Sequence, residues 1–562
     1  MLKYSDNAIV FDWEVLNNEQ DIGKWEMLFE EGNRKEYGNG MNDFLEALTQ
    51  LPQDKVNVIF INNLNMFELI SSSYMSYQED FKAVVKERGI NFFYLKPFDF
   101  IEFRNSNNFW GDIPVEEFLR RLSLCREYLK GRKKKKLSLK SHFRFTLTRE
   151  LWSSITEEYW LNSKTFEKTK EDLLPKTLEE LDLLLSAYKA SFIYANPNYL
   201  NKIVCDVYSS DIKSSHTGLF CRKRYPYGEG ITETDPAKIY EIMNGDYYTW
   251  IGKFQVIGLK EKIKDFPWDM RNFGYQAKDG SWIITLLAPH WERFKQIYGG
   301  DVLIPLEFVY YTQKVLAKDY ILMMSDLYKE KEYFKKNCKD EFLVSLAKMK
   351  TELPYGQSIK NPVFHTGIVY DYEENNFIID QLPPQTFEEK VKELKKHSLP
   401  FQYGLWTAAY SWAEEVGMIL DIGLENVIYG DTDSVKFIGE KGLEVIKKHN
   451  EEIDKEFKFV CNRYNLLVEI DSKLGRWHDD GFNVCFKTLG MKRYLSFKES
   501  GSLKATCSGA IINTLQDYVD NSEDPFEEFD KEMIITGLYK HVSMDKKRRT
   551  VHVSYGDHLE EV

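Results

Sequence analysis

The 562-residue chain contains no run of the roughly 18 apolar residues that a bilayer crossing needs, which excludes a membrane-spanning helix. Cysteine is scarce. The seven are Cys125, Cys205, Cys221, Cys338, Cys461, Cys485 and Cys507, and no two stand within five residues of each other. A zinc knuckle or a C-x-x-C redox motif is therefore excluded. An odd number in a long chain argues against a disulfide framework, so a reducing, cytoplasmic compartment is expected. The opening residues, MLKYSDNAIVFDWEV, lack a charged-then-apolar signal pattern. Basic excess is also missing: 75 Lys and Arg against 88 Asp and Glu give a net charge of −13. A strongly acidic average counts against a phosphate-bearing partner, but local basic runs override an average. Two such runs exist, Lys130 to Lys136 (KGRKKKK) and Lys546-Lys547-Arg548-Arg549. Internal repeats are absent. Aromatic residues, at 15%, and hydrophobic residues, at 43%, are ample for a buried core. At about 150 residues per domain, the length predicts three or four domains.

Strand and helix signals alternate in the N-terminal part. Ala8-Ile9-Val10-Phe11 runs into Asp12, and a second apolar run spans Val56 to Ile61, which predicts an α/β unit. Helical periodicity follows near Pro114 to Lys130, and again over Ser325 to Met349, where Phe342, Leu346 and Met349 share a face. Residues 363–400, with Pro383-Pro384, read as a polar, irregular insertion. Leu405, Ala409, Trp412 and Val416 form another helical stripe.

The most informative stretch is Val427 to Phe437. Two short apolar strands, Val427-Ile428-Tyr429 and Val435-Lys436-Phe437, flank Gly430-Asp431-Thr432-Asp433-Ser434, which predicts a hairpin with a tight turn. Two carboxylates at one tip repel each other unless something compensates. For D-T-D alone a solvated tip is the plain reading. Set between these strands, Y-G-D-T-D-S closely resembles motif C of the family B DNA polymerases. That resemblance implies phosphoryl transfer assisted by two Mg²⁺ ions, with Mn²⁺ able to substitute. Hard oxygen ligands suit Mg²⁺, which keeps several waters. Two or three carboxylates then suffice, one of them from a second strand.

Two residues compete for that role, Asp206 and Asp211. The family's motif A reads D-x-x-S-L-Y-P. Protein-primed members also carry P-Y-G-E fifteen residues after its aspartate. Pro226-Tyr227-Gly228-Glu229 begins fifteen residues after Asp211, so the resemblance implies Asp211 as the partner of Asp431 and Asp433. His216 then stands where the family places the tyrosine that excludes ribose. Motif B, K-x-x-x-N-S-x-Y-G, is matched by Lys348, Tyr355 and Gly356. The resemblance implies Lys348 facing the triphosphate and Tyr355 near the nascent base pair, with Lys336 as a further triphosphate candidate. Glu352 departs from the pattern: a carboxylate there repels phosphate unless it is paired or turned away. Lys473 to Trp477 (KLGRW) and Gly490 to Tyr494 (GMKRY) resemble the palm segment holding the primer end, with Lys492 and Tyr494 matching K-x-Y.

The layout resembles the protein-primed branch of phages and linear plasmids. It implies an α/β and α+β multidomain fold: a ribonuclease-H-like exonuclease domain and a right-hand polymerase of palm, fingers and thumb with two insertions. The expected segments are an exonuclease-like domain (1–190), palm with motif A (191–235), a first insertion (236–310) and palm and fingers with motif B (311–362). A second insertion (363–402), palm with motif C and K-x-Y (403–502) and a thumb (503–562) follow. The implied partners of an expected monomer are template and primer DNA, dNTPs and a terminal protein, in the cytoplasm of an infected or plasmid-bearing cell. The 3′→5′ exonuclease motifs are matched less fully. Asp12 and Glu14 fit the first, Glu68 lies one place from the acid of the second, and Glu117 stands in for that of the third, where Ile113 replaces tyrosine. The linker motif Y-x-G-G is Tyr188-Lys189-Ala190-Ser191, making Tyr188 a candidate DNA contact. Two other readings stay open: a polymerase-like nucleotidyltransferase working without a protein primer or without a template, and a catalytically inactive DNA-binding replication factor.

Overall fold

The computed structural model describes residues 3–15, 22–30, 35–61, 81–86, 89–95, 100–110, 113–130, 146–159, 164–189, 192–257, 263, 273–298, 303–363, 366–371, 376–381, 383–466, 473–508, 516, 519–529, 540–544, 551–555 and 558–561. They fall into two compact units, Met1–Glu171 with Glu330–Leu399, and Asp172–Lys329 with Pro400–Val562.

The first unit is built on seven strands: β1 (Lys3–Val15), β2 (Ile22–Phe29), β3 (Lys35–Asn39), β4 (Lys55–Ile61), β5 (Phe81–Lys86), β6 (Gly89–Leu95) and β7 (Ile101–Asn105). Their order is β3-β2-β1-β4-β7-β6-β5. β1, β4 and β7 run parallel, and the β1–β2–β3 meander is antiparallel. This is the ribonuclease-H-like arrangement expected for the N-terminal domain. The apolar run Val56 to Ile61 is buried at every position, as a central parallel strand covered on both faces must be. Helix Gly40–Thr49 covers one face, setting Phe44 4.3 Å from the ring of Phe11. Helix Val115–Lys130 buries Phe118, Leu122 and Leu129, with Phe118 5.3 Å from Phe60.

The helical text around Ser325 to Met349 divides into two helices, Lys318–Asn337 and Glu341–Ser358. The break comes from Asp340, whose carboxylate accepts the free amides of Phe342 and Leu343 as an N-cap. Residues 363–400 hold more structure than their polarity suggests. β15 (Thr366–Asp371) and β16 (Asn376–Gln381) pair as a hairpin, and helix Phe387–Lys396 starts at a capping box of Thr386 and Glu389.

In the second unit, β8 (Ile193–Ala195), β9 (Ile203–Ile212), β17 (Val427–Asp431), β18 (Ser434–Phe437), β19 (Trp477–Gly490), β20 (Arg493–Lys498) and β21 (Leu503–Cys507) form a sheet. Its order is β21-β20-β19-β9-β18-β17-β8, with antiparallel neighbours. A five-stranded sheet holds β10 (Arg224–Thr232), β11 (Tyr248–Val256), β12 (Gly274–Gln276), β13 (Trp282–Leu287) and β14 (Leu303–Val315) in the order β10-β14-β11-β13-β12. The two sheets share one core. Ile212, Val427, Val435 and Trp477 of the first join Trp250, Ile284 and Phe308 of the second through Trp412 and Val416. The last two belong to helix Phe401–Ile422, whose apolar stripe is buried along its length. β22 (Lys540–Met544), β23 (Val551–Tyr555) and β24 (His558–Glu561) form a separate three-stranded sheet. The Lys546–Arg549 patch lies outside the described residues. Among the described residues no helix is long and apolar enough to cross a membrane.

Two contacts hold the end of β9 in place. The Lys213 amide donates to the carbonyl of Arg476 at 3.0 Å, and the Gly475 amide donates to that of Lys213 at 2.7 Å. Helix Ser215–Arg222 follows, and a Cβ on its Gly218 would sit 2.5 Å from the Cα of Gly475. Only two glycines allow that approach. At its far end the buried Arg222 guanidinium bonds Glu414 at 2.6 Å and Glu456 at 2.5 Å, tying three helices together.

The Gly218→Ala variant is expected to lose about 2–3 kcal/mol of stability, because the new methyl meets backbone rather than a movable side chain. Gly356→Ala, in a helix with nothing within 4 Å of the added carbon, is expected to be neutral or stabilising by up to about 1 kcal/mol. Thermal unfolding of both variants beside the native chain checks this; equal midpoints for the two would contradict the packing assigned to Gly218.

Candidate active site

Asp431 ends β17 opposite Ser434 of β18, Ser434 lies opposite Asp211 of β9, and Asp211 lies opposite His478 of β19. Residues directly opposed across antiparallel strands share a face. One line across four strands therefore carries Asp431, Ser434, Asp211 and His478 on the same side. Two strand spacings put the Cα atoms of Asp431 and Asp211 about 10 Å apart. The strands reach further than the sequence suggests, leaving Thr432 and Asp433 alone to make the turn. Thr432 takes φ +62°, a left-handed conformation that a β-branched residue adopts only when held. Three bonds hold it. The Thr432 amide donates to Phe192 O at 3.0 Å, the Asp433 amide to Asp431 O at 2.6 Å, and the Ile212 amide to Asp433 O at 2.7 Å. The last bond ties the turn to the residue following Asp211.

Electrostatic strain concentrates on Asp433. Burial, then the carboxylates of Asp211 and Asp431, push its carboxyl up to about 7, and Lys492 opposes the shift. The Lys492 ammonium lies 2.6 Å from Asp431 Oδ1. Its own amide donates to the Tyr429 hydroxyl at 2.9 Å, and its φ is +57° in the turn between β19 and β20. Tyr494, two residues on, stacks on Phe486 with centroids 5.3 Å apart and lies 5.2 Å from the Tyr429 ring. The His216 ring is driven down to about 4 by burial and is neutral at pH 7.

Two residues of this site carry no motif signal. Lys436 is buried, with its ammonium 5.4 Å from the centre of the Tyr494 ring. Burial lowers its pKa, against Asp480, Asp211 and Asp431. Glu415, in helix Phe401–Ile422, is fully buried behind the hairpin. Neither of its carboxyl oxygens finds a hydrogen-bond donor; the nearby Thr432 amide favours its charged form but is aimed at Phe192. Burial, then Asp431 and Asp433, raise its pKa far above the carboxylate range. A Cβ on Gly430 would sit 3.1 Å from Glu415 Oε1, so glycine there makes the room. The one hint in the sequence is an acidic pair, Glu414-Glu415, inside an apolar helical stripe.

Asp211, Asp431 and Asp433 suit a hard divalent cation in donor chemistry, and the raised Asp433 marks a cluster in want of positive charge. Among the described residues, however, no three acids, histidines or cysteines converge on one point as a metal cage would. Mg²⁺ asks less than a cage: one or two carboxylates with waters and phosphate oxygens complete its shell.

The remaining candidates belong to other elements. Lys348, Glu352 and Tyr355 share a face of helix Glu341–Ser358 in the first unit. Lys348 and Glu352 are largely exposed and 3.9 Å apart, which gives the unexpected carboxylate a cationic neighbour. Lys336 is exposed near the end of helix Lys318–Asn337, and Tyr188 is exposed after helix Leu178–Ala187. On β1, Asp12 faces Glu26 of β2. Burial chiefly raises the Glu26 carboxyl, with Glu116 and Asp12 adding to it and Lys35 opposing. Lys35 bonds Glu116 at 2.6 Å. Glu117 instead bonds Arg120 and Arg121, each at 2.6 Å, which with the Arg120 bond first pulls its carboxyl down to about 2. Glu26 thus neighbours both Asp12 and Glu116, which no motif indicated. Glu14 lies on β1, but its side chain and all of Glu68 lie outside the described residues.

No family model matches the chain, and no curated protein matches it. Solved structures do. Phi29 DNA polymerase complexed with single-stranded DNA aligns at a TM-score of 0.64 and 13% identity, covering 99% of this chain and 100% of the other. Phi29 DNA polymerase complexed with primer-template DNA and incoming nucleotide substrates aligns at 0.63 and 14%, covering 99% and 98%. At this identity the likeness is one of fold, and it runs the full length of both chains. The chain has the expected fold of an exonuclease-type domain joined to palm, fingers and thumb.

A folded-state pKa raised above the ordinary value burdens the folded state increasingly as pH rises from about 4 to about 7. With divalent cations chelated, Asp433→Asn is expected to be more stable than the native chain by roughly 2–4 kcal/mol at pH 8. The gain should shrink toward zero near pH 4. Unfolding midpoints of the two proteins across that range test it; a difference independent of pH would contradict the crowding assigned to Asp433.

Proposed function

We propose that the chain is a DNA-directed DNA polymerase of the protein-primed branch of family B. The observation that carries this reading is the line Asp431, Ser434, Asp211, with Asp433 bound over it and the Lys492–Tyr494 hairpin beside it. Residues 191–235, 311–362 and 403–502 would then be palm and fingers, 236–310 and 363–402 the insertions, 503–562 the thumb, and 1–190 the exonuclease-like domain. The partners would be template and primer DNA, dNTPs and, for initiation, a terminal protein whose Ser, Thr or Tyr hydroxyl accepts the first nucleotide. The setting would be a phage-type or plasmid replicon in a host cytoplasm.

Asp211 and Asp433, assisted by Asp431, would hold two Mg²⁺ ions, which when bound supply positive charge to the attacking and leaving oxygens. The chain's own residues do the positioning. Lys348 neutralises the triphosphate of the incoming nucleotide, and Tyr355 flanks the nascent pair. The Lys348–Glu352 pair is weak at such exposure, so it yields to a phosphate at little cost. His216, neutral at working pH, offers a flat apolar edge to the sugar rather than a charge. Lys492 serves the primer backbone and Tyr494 the minor groove. Holding reactants in line, with charge placed in advance, is what this reaction asks of a protein. A 3′→5′ exonuclease would rest on Asp12 and Glu14, with Glu68 and Glu117 from the motifs and with Glu26, opposite Asp12, as a further acid.

A second reading, a catalytically inactive DNA-binding replication factor, is favoured by the ion pair of Lys492 with Asp431. Incorporation of labelled dNTPs on a primed template with Mg²⁺ separates the two. Under the polymerase reading the native chain extends the primer, and Asp433→Ala loses at least a thousandfold in rate while DNA binding persists. Unchanged incorporation by that variant would overturn the site, and no incorporation by the native chain, with or without a terminal protein, would favour the inactive factor.

Lys348→Ala is expected to raise KM for dNTPs roughly tenfold or more, about 1.4 kcal/mol of lost binding, with little change in DNA affinity. Steady-state kinetics and a DNA-binding titration check both halves.

A further inference from the structure

Cys205 and Cys485 stand directly opposite each other on the antiparallel strands β9 and β19. Their sulfurs are 3.5 Å apart. Cys205 is exposed and Cys485 half-buried, so a small oxidant reaches the pair from solvent. Directly opposed residues on antiparallel strands have Cα atoms about 4.5–5.5 Å apart, inside the roughly 4.4–6.8 Å span of disulfides. The backbone therefore need not move. Rotation about the two Cα–Cβ bonds brings the sulfurs from contact to bonding distance.

We propose that Cys205 and Cys485 are a reversible oxidation site, closing a cross-strand disulfide when the protein meets a peroxide. Cys205, the more open thiol, attacks the peroxide. The O–O bond breaks, one water leaves, and a sulfenic acid forms on Cys205. The Cys485 sulfur displaces that hydroxyl as a second water, forming the S–S bond. In all, two thiols lose two electrons and two protons, and one hydrogen peroxide becomes two waters. Burial first, then its bond to Cys205 and the carboxylate of Asp206, push the Cys485 thiol up to about 11. Cys485 is thus a poor first nucleophile and fits the resolving role. Dithiol reductants reverse the reaction by exchange.

The location gives the bond a consequence. β9 leads to Asp211, and β19 leads to the turn that carries Lys492. The site is independent of any particular chemistry at the aspartates. In a reducing compartment both thiols stay open, and only oxidant closes them.

The test uses the full native chain treated with stoichiometric hydrogen peroxide, alkylated, and mapped without reduction. The expected result is a cross-linked peptide pair holding Cys205 and Cys485, 2 Da lighter than the sum of its free peptides, which dithiothreitol separates. Cys205→Ser and Cys485→Ser should each abolish that species at unchanged thermal midpoint in reductant. The same treatment in urea should yield the pair at least tenfold less often. Two results would overturn the proposal: both sulfurs recovered singly alkylated or as sulfinic acids from the oxidised native chain, or the cross-link forming equally well in urea.

Discussion

Carboxylates crowded onto one patch of a sheet repel each other, and much around that patch is arranged to bear the repulsion. Asp431 meets Lys492 at 2.6 Å. Asp433 holds a proton to about neutral pH. Thr432 is kept in a left-handed turn by bonds from either side, because a freely relaxing turn would swing the acids apart. The shared core behind the sheet supplies the stiffness. Ile212, Val427 and Val435 are locked into a cluster that continues through Trp412 into the neighbouring sheet, so the crowding cannot be relieved by bending the strands.

Much of this was legible in the residues. The hairpin of Val427 to Phe437 announces itself by two apolar strands around a polar tip, and the Leu405–Val416 stripe by its period. Asp211 is harder. Asp206 precedes it on the same strand, and chain spacing within a resemblance, not local pattern, separates the two. The Ala8–Phe11 and Val56–Ile61 runs mark two of the three parallel strands of the N-terminal sheet, whereas β7, with Glu102 and Arg104, carries no such run. What the residues hide is what depends on folding. The helix break at Asp340 is a capping bond, invisible to a periodicity that passes across it. The hairpin of β15 and β16 is masked by polar flanks. Glu415, Lys436, Glu26 and Glu116 gain their roles from neighbours distant in sequence, so no spacing rule could have named them.

Residues 236–310 show why a stretch that reads as an insertion is not always an appendage. Read from the chain, 236–310 looks like a separable addition. Its strands instead share a hydrophobic cluster with the sheet that bears the aspartates, joined through helix Phe401–Ile422. Removing it would take Trp250 and Phe308 out of that cluster, expose Trp412 and Val416, and strip support from their helix, which also presents Glu415 to the hairpin.

The fit between Gly430 and Glu415 reaches beyond this one chain. An added carbon at 430 would come within 3.1 Å of the carboxyl behind it, so the two positions are not free to vary alone. Relatives that place a side chain at the first should carry a shorter or differently angled residue at the second. The acid should survive only where the strand stays bare. Sequence covariation between a helix and a hairpin would then be the historical trace of a single cramped space.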